Sequence, residues 1–478
     1  MKMQHAPRPF GIRDKLGYMF GDFGNDFTFI LSTSILMKFY TDIMGVGAGV
    51  VGLIMMIARF VDSVTDVTMG RICDAFKPTA AGKFKPWLIR MCIPVAAASF
   101  IMYMPGLAGD FVVTWSNEVR IAYLAITYIL WGSFCYTGIN IPYGSMASAI
   151  SSDPGDRQSL STFRTMGGML AGMVIGMGLP LVAYDKITSA TGEELSVLNG
   201  TKVAIAAAVF SVLAIGCYIL AYKLITERVP YKAPEKHETV SVRQMLKNAV
   251  TNRALISIIA ASIVMLLAQL TMQNMGSYIY PDYYGDGKGQ TMASAMMMVG
   301  MLIASAMSKP LSAKYGKAEV SVVSCLSAVV ICIITWLLKP ANMYVFVALQ
   351  ALNWVGLGVF SMVSWALITD VIDYSEIKNG IREDGSVYAL YSFARKLGQA
   401  AAAGLTGLLL EMIGYNEKAL EQGIGQTEAV KDGIFNISTL VPALGFLLLA
   451  LVLWFWYPLH KKQVDANVAA LKAKRDGK

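Results

Sequence analysis

Runs of about 18 to 25 predominantly apolar residues, each long enough to cross bilayer hydrocarbon as a helix, recur along this chain and leave little room for anything else. They centre near Phe29, Met56, Ala96, Leu130, Met173, Val209, Ile263, Met301, Val329, Gly356, Gly404 and Leu448, which predicts about twelve membrane helices. Composition agrees, with 55% of residues hydrophobic and only 15% charged, a balance foreign to soluble globules. The expected class is an all-α membrane protein.

Orientation follows from where the basic residues fall. Met1 to Lys15 is polar and basic and runs straight into the first span, so no cleavable signal peptide is expected. Lys2, Arg8, Arg13 and Lys15 crowd this end, whereas the turn from Asp42 to Ala48 holds neither Lys nor Arg. Lys77, Lys83, Lys85 and Arg90, then Lys223, Arg228, Lys232 and Lys236, then Lys309, Lys314 and Lys317 fall on the same side as the N-terminus. The positive-inside rule then places both termini in the cytoplasm and the chain in the cytoplasmic membrane as a multi-pass protein. These loops and the tail account for the net charge of +8, so anionic lipid headgroups suit the basic charge better than nucleic acid does.

The six cysteines lie in or at the ends of spans without CxxC spacing and read as small packing residues. His5, His237 and His460 all lie near or outside span ends, which argues against a His-rich metal site or a His general base within the membrane. No nucleophile and base pair is convincing, so no enzyme activity and no cofactor are expected.

The longest polar interruption divides the spans into two groups of about six. The expected organisation is an N-terminal bundle over 1–225, a cytoplasmic central loop over 226–253, a C-terminal bundle over 254–459 and a cytoplasmic tail over 460–478. Within the loop, Val240 to Val250 suits a short amphipathic surface helix or a flexible tether about equally. Two six-helix halves suggest an internal repeat that rocks around a midplane site. Its best trace is a basic, glycine-containing turn in each half, Gly82 to Pro86 and Lys314 to Lys317. Dense small residues over Gly167 to Gly178 and Gly398 to Gly407 allow close helix approach.

Ionisable groups inside spans cost on the order of 2.5 to 3.5 kcal/mol each, so they normally face a cavity, a partner charge or an ion path. The chain places Asp22 and Asp26 in the first span, Arg59, Asp62 and Asp66 in the second, Arg164 in the fifth, and Arg395 with Lys396 in the eleventh. A spacing of four puts Asp62 and Asp66 on one helical face. Two close carboxylates can share a monovalent cation or a proton. A purely structural salt bridge to Arg59 or Arg164 is the competing explanation, and it is the weaker one because a buried pair contributes little stability. Asp26 suits sugar hydroxyls, with Arg164 donating to oxygens and Tyr391 stacking on a pyranose face. At cytoplasmic helix ends, Arg157 is expected to pair with Asp370 or Asp373 as a gate, although ordinary solvated charges would account for each residue singly.

In order and spacing, Gly21-Asp22-Phe23-Gly24-Asn25-Asp26, Arg59-Phe60-Val61-Asp62 with Asp66, and Gly82-Lys83-Phe84-Lys85-Pro86-Trp87 form a recognisable series. Asn140-Ile141-Pro142-Tyr143-Gly144-Ser145, Asp370-Val371-Ile372-Asp373-Tyr374 and Tyr391-Ser392-Phe393-Ala394-Arg395-Lys396 continue it. Nearly end to end, the chain resembles the glycoside–pentoside–hexuronide:cation symporters of the major facilitator superfamily. The resemblance implies two six-helix bundles and secondary symport of a glycoside, pentoside or hexuronide with Na+ or H+ by alternating access. It implies a monovalent cation site at Asp62, Thr65, Asp66 and Thr137, with Arg59 as charge partner. It also implies a sugar site at Asp26, Arg164, Tyr391 and Ser392, beside Asn25 and Asn140 of the shared motifs, with Lys396 between the two regions.

Two positions depart from the melibiose branch. Thr65 stands where that branch has an asparagine at its sodium site, which leaves the cation open. Asn140, followed by Gly144, stands where it has an aspartate and a tryptophan, which speaks against a galactoside. A neutral amide beside Arg164 tolerates an anionic sugar, and the eleventh-span segment is similar to that of glucuronide and pentoside carriers, so hexuronide and xyloside substrates stand level. The partners expected are a sugar, a monovalent cation and the lipid bilayer, without nucleic acid. The other readings are a carrier of lipid or another amphipathic solute on the same fold, and a sugar sensor derived from a transporter. A cavity lined by Asp26, Arg164 and Lys396 disfavours the first, and the lack of a segment long enough for a signalling domain disfavours the second.

Overall fold

In the computed structural model the described residues are 8–109, 114–189, 192–229, 252–379, 384–419 and 422–475. Ten helices among them are long and apolar enough to cross a membrane. Two more have the length but carry ionisable residues mid-helix, α1 (Ile12–Asp42) with Asp22 and Asp26 and α12 (Asp384–Met412) with Arg395 and Lys396. Between them in chain order come α2 (Ala48–Ala75), α3 (Lys85–Tyr103), α4 (Asn117–Ile129), α5 (Thr137–Ile150), α6 (Pro154–Ala183) and α7 (Gly200–Leu224). Then follow α8 (Arg253–Tyr278), α9 (Gly289–Tyr315), α10 (Lys317–Leu338) and α11 (Met343–Asn379). After α12 the chain continues with α13 (Glu428–Leu451) and the short α14 (Lys461–Arg475). A π-helical segment, Leu130–Tyr136, joins α4 to α5, so these three pieces form one span from Asn117 to Ile150.

The apolar surface is distributed as a bilayer requires. On α10, Val323, Val330 and Leu337 are seven residues apart on one face and are 67%, 54% and 67% exposed. Water would penalise such a stripe of large side chains, whereas lipid accommodates it. Across the helix Cys325 and Cys332 are buried and free, as are the other four cysteines.

The chain forms two compact units, each taken over its described residues. Unit 1 comprises Met1–Glu235, Gly285–Thr291 and Tyr415–Gly425, and unit 2 comprises Lys236–Tyr284, Met292–Gly414 and Gln426–Lys478. In unit 1, α1 packs along α6 and α7, and α3 lies against α5 and α7. In unit 2, α8 packs on α12 and α13, and α10 on α11 and α13, around a core that includes Phe360, Leu367, Tyr391 and Phe446. The segment Val240 to Val250 lies outside the described residues.

Three local arrangements give unit 1 its rigidity. The turn before α3 is held by Glu227, whose carboxylate accepts the backbone N–H groups of Lys83, Phe84 and Lys85 at 2.7, 3.0 and 2.6 Å. An ionised acceptor thereby satisfies amides that a helix start leaves unpaired. At the other end of α1, Lys38 is 1% exposed, and its Nζ lies 2.8 Å from Asp42 and 2.8 Å from the Tyr415 hydroxyl. That hydroxyl donates to Asp42 at 2.8 Å, so the buried ammonium has both a counter-charge and a polar partner.

The third arrangement departs from an all-helical expectation. After α6 the chain leaves the apolar span, and Tyr184–Thr188 (β1) pairs antiparallel with Glu194–Leu198 (β2), Tyr184 opposite Leu198. In β2 the polar residues Glu194 and Ser196 alternate with Leu195 and Val197, the period that suits a half-buried strand and not a helix. Segment 285–291 docks on this hairpin through the Gly287 N–H, which donates to Ser196 Oγ at 2.9 Å. The approach requires glycine, because a Cβ at Gly287 would lie 2.4 Å from the Tyr184 ring.

Candidate functional site

Two clusters of in-span charge lie in unit 1, the first between α1 and α6 and the second on α2. The first forms where α1 crosses α6. A Cβ at Gly167 would lie 2.3 Å from the Met19 carbonyl oxygen, so only glycine permits this backbone approach. The approach brings Arg164 of α6 to α1, where its Nε donates to Asp22 Oδ1 at 2.9 Å. Its guanidinium also sits 5.3 Å from the centre of the Tyr143 ring, and that ring stacks on Tyr18 at 4.6 Å. Asp22 and Asp26 converge on Gly168, because a Cβ there would lie 3.3 Å from an Asp22 oxygen and 2.6 Å from an Asp26 oxygen. Two carboxylates and one guanidinium thus surround a patch of bare backbone, with Arg164 40% exposed.

Sequence reasoning placed Asp26 and Arg164 together but gave Asp22 no role in binding. Asp22 is the residue that pairs with Arg164, one helical turn from Asp26, and it corrects the charge argument drawn from Asn140. The amide at 140 does not leave Arg164 without an anion, since Asp22 supplies one. Asn140 instead accepts from Asn25 Nδ2 at 3.5 Å. Asn25 is 1% exposed, and its Oδ1 accepts the Tyr218 hydroxyl at 2.9 Å, so Asn25 ties α1 to α5 and α7.

The second cluster lies between α2 and the span that faces it. Arg59 Nη1 approaches Asp62 Oδ2 at 3.4 Å. The Ser133 hydroxyl donates to Asp62 Oδ1 at 2.5 Å, and the Thr137 hydroxyl donates to Asp66 Oδ1 at 2.9 Å. Ser133 belongs to the π-helical segment Leu130–Tyr136, and Thr137 follows it directly. A π turn inserts an extra residue and re-aims the side chains after it, and such turns concentrate at functional sites. This local geometry gives each carboxylate its own hydroxyl, and a regular helical period offered no sign of it. Thr65 behaves differently, because its hydroxyl donates to the carbonyls of Val61 and Asp62 at 3.2 and 3.1 Å on its own helix.

Tyr136 of the same π-helical segment connects the two clusters. Its ring stacks on Phe29 at 5.6 Å, and the Arg59 guanidinium lies 5.1 Å over the Phe29 ring. Phe29 follows Asp26 by three residues on α1, so the stack runs from the helix of the first cluster to Arg59 of the second. Neither Tyr136 nor Ser133 was singled out by the sequence pattern.

The remaining candidates belong to unit 2, apart from Arg157. Tyr391 is fully buried with its hydroxyl unpartnered among the described residues. Its ring meets Trp365 edge-on at 5.3 Å, and the Arg395 guanidinium lies 5.5 Å over Trp365. Lys396 is half-buried in α12, and the side chain of Ser392 lies outside the described residues. Asp370 accepts from Lys317 Nζ at 2.6 Å, with Asp373 half-buried one turn on. In unit 1, Arg157 Nε donates to the Ser151 carbonyl at 2.8 Å. Among the described residues no group of three or more His, Cys, Asp or Glu is placed to hold a metal ion.

Residues 17–461 match the family model described as MFS/sugar transport protein. The chain is 28% identical over 464 residues to a glucuronide carrier protein homolog of Escherichia coli (strain K12), covering 96% of this chain and 95% of that protein. It is 26% identical over 447 residues to an isoprimeverose transporter of Lactiplantibacillus pentosus, covering 93% and 88%. Among solved structures, that of a nucleoside transporter aligns with a TM-score of 0.62 at 12% identity, covering 93% of this chain and 99% of that one, a likeness of fold alone.

Proposed function

The chain belongs to the MFS/sugar transport family of membrane transporters, and on that premise we propose that it is a secondary symporter importing a glycoside, pentoside or hexuronide with Na+ or H+. In this reading it catalyses no covalent reaction, needs no cofactor, and sits in the cytoplasmic membrane with both termini inside. The names of its relatives support a sugar as substrate, one being a glucuronide carrier homolog and another an isoprimeverose transporter.

The observation that carries the proposal is the pair of linked charge clusters. Asp62 and Asp66 hold the cation, with Thr137 adding a hydroxyl oxygen and Thr65 available to do so. Asp26, Asp22 and Arg164 hold the sugar over Gly168, with carboxylates accepting from hydroxyls and the guanidinium donating to ring or hydroxyl oxygens. The Phe29–Tyr136 stack adjoins both clusters, so a ligand in either one alters the setting of the other. Coupling follows when each ligand favours a state that the other also favours. The family resemblance also assigns Tyr391, Ser392 and Lys396 of α12 to the sugar, although Tyr391 is fully buried in the core of unit 2.

Asp22 bears on the choice of substrate. With a carboxylate already on Arg164, an anionic sugar must displace Asp22 to reach the guanidinium, whereas a neutral glycoside bridges the pair through its hydroxyls. The geometry therefore favours a neutral glycoside such as a xyloside. Uptake into proteoliposomes across a panel of neutral glycosides and glucuronides, under imposed sodium, lithium and proton gradients in turn, tests the reading. Accumulation of a neutral glycoside under one of the gradients supports it, and transport of no sugar under any gradient refutes it.

A further inference from the structure

The three hydroxyl-bearing side chains around the second cluster are not equivalent. Thr65 and Thr137 each have a carbonyl within reach besides any carboxylate. For Thr65 these are Val61 and Asp62 at 3.2 and 3.1 Å, and for Thr137 it is Gly132 at 3.2 Å. A hydroxyl with an alternative acceptor can send its proton there and turn a lone pair toward a cation. Among the described residues the Ser133 hydroxyl donates to Asp62 alone, at 2.5 Å, and Ser133 is 1% exposed. With Arg59 on Oδ2 and Ser133 on Oδ1, Asp62 is held at both oxygens.

We infer that Ser133 is a positioning residue for cation choice: from its π-helical turn it fixes the Asp62 carboxylate, and so the width of the oxygen cage that Asp66, Thr65 and Thr137 close. This rests on the reading of Asp62 and Asp66 as the coupling-ion site. Monovalent cations differ in radius and in how readily they shed water, so a cage with one pinned wall discriminates among them better than one in which every ligand can shift. Among the described residues no hydrogen bond joins Ser133 to the Asp22, Asp26 and Arg164 cluster, so its removal acts directly on the ion and reaches the sugar only through the coupling.

The test compares Ser133→Ala, Ser133→Cys and Asp62→Asn with the parent protein in proteoliposomes, using sodium, lithium and proton gradients and equilibrium exchange of the transported sugar. The loss of a hydrogen bond to a charged group predicts that Ser133→Ala raises the half-saturation of the preferred cation about tenfold. It also narrows the preference among the three cations and, at saturating cation, leaves the sugar half-saturation in exchange unchanged. Ser133→Cys, a weaker donor of similar size, falls between the two. Loss of exchange together with cation response in both Ser133 variants would mark a folding role and overturn the inference. So would parental cation half-saturation and preference in Ser133→Ala when Asp62→Asn abolishes cation-driven accumulation. Parental accumulation in Asp62→Asn removes the cation-site reading itself, and this inference with it.

Discussion

Gly168 and its neighbour Gly167 offer a paired test of where the sugar sits, because alanine at each meets a different kind of atom. At Gly168 the added methyl would lie 2.6 Å from an Asp26 carboxylate oxygen and 3.3 Å from an Asp22 oxygen. These are the ends of side chains, so the carboxylates swing aside while the helices keep their places. If Asp26 hydrogen-bonds the substrate, that swing removes an interaction of about 1.5 to 3 kcal/mol, a roughly ten- to hundredfold loss of affinity. At Gly167 the methyl would lie 2.3 Å from the Met19 main-chain oxygen, which cannot swing, so α1 and α6 must separate at a cost of about 1 to 3 kcal/mol or more. The assays are sugar half-saturation in equilibrium exchange and thermal unfolding in detergent. Gly168→Ala should raise half-saturation at nearly unchanged unfolding temperature, and Gly167→Ala should lower the unfolding temperature. Unchanged sugar affinity in a stable Gly168→Ala protein would place the substrate elsewhere.

Two further substitutions probe the frame around the site. Glu227→Ala withdraws the ionised acceptor from three backbone N–H groups at the start of α3. It should destabilise unit 1 by about 2 to 4 kcal/mol, with Glu227→Gln losing less, as read from thermal unfolding. Gly287→Val brings a side chain against the Tyr184 ring and should detach segment 285–291 from the hairpin. Modification of a Ser196→Cys thiol by a water-soluble maleimide should then be at least severalfold faster than with Gly287 intact, and an equal rate would refute the docking.

Much of the fold was legible because membrane helices are fixed by a simple length and composition rule, and Met343–Asn379 or Gly200–Leu224 could hardly be anything else. The charged helices α1 and α12 were legible for the opposite reason, since charges at such a cost call attention to themselves. The approximate positions of Asp26, Arg164, Asp62, Asp66 and Thr137 followed from spacing and from family resemblance. Side-chain direction did not. Whether Arg164 takes Asp22 or Asp26 depends on an α1–α6 approach set by one glycine. Ser133 reaches Asp62 only because the helix widens at Leu130–Tyr136, a change of period that an apolar run conceals. The hairpin after α6 escaped notice because two five-residue strands of mixed polarity between two long spans resemble an ordinary loop. Lys38 was masked by the apolar residues around it, and its partner Tyr415 is 377 residues away.

Cation coupling through the Asp62 and Asp66 pair is the central claim, and one comparison tests it most directly. In proteoliposomes carrying Asp62→Asn, cation-driven accumulation of sugar against its gradient is measured beside equilibrium exchange of the same sugar. The account predicts that accumulation is lost while exchange is largely kept. Accumulation still stimulated by the cation gradient to the parental level would contradict it.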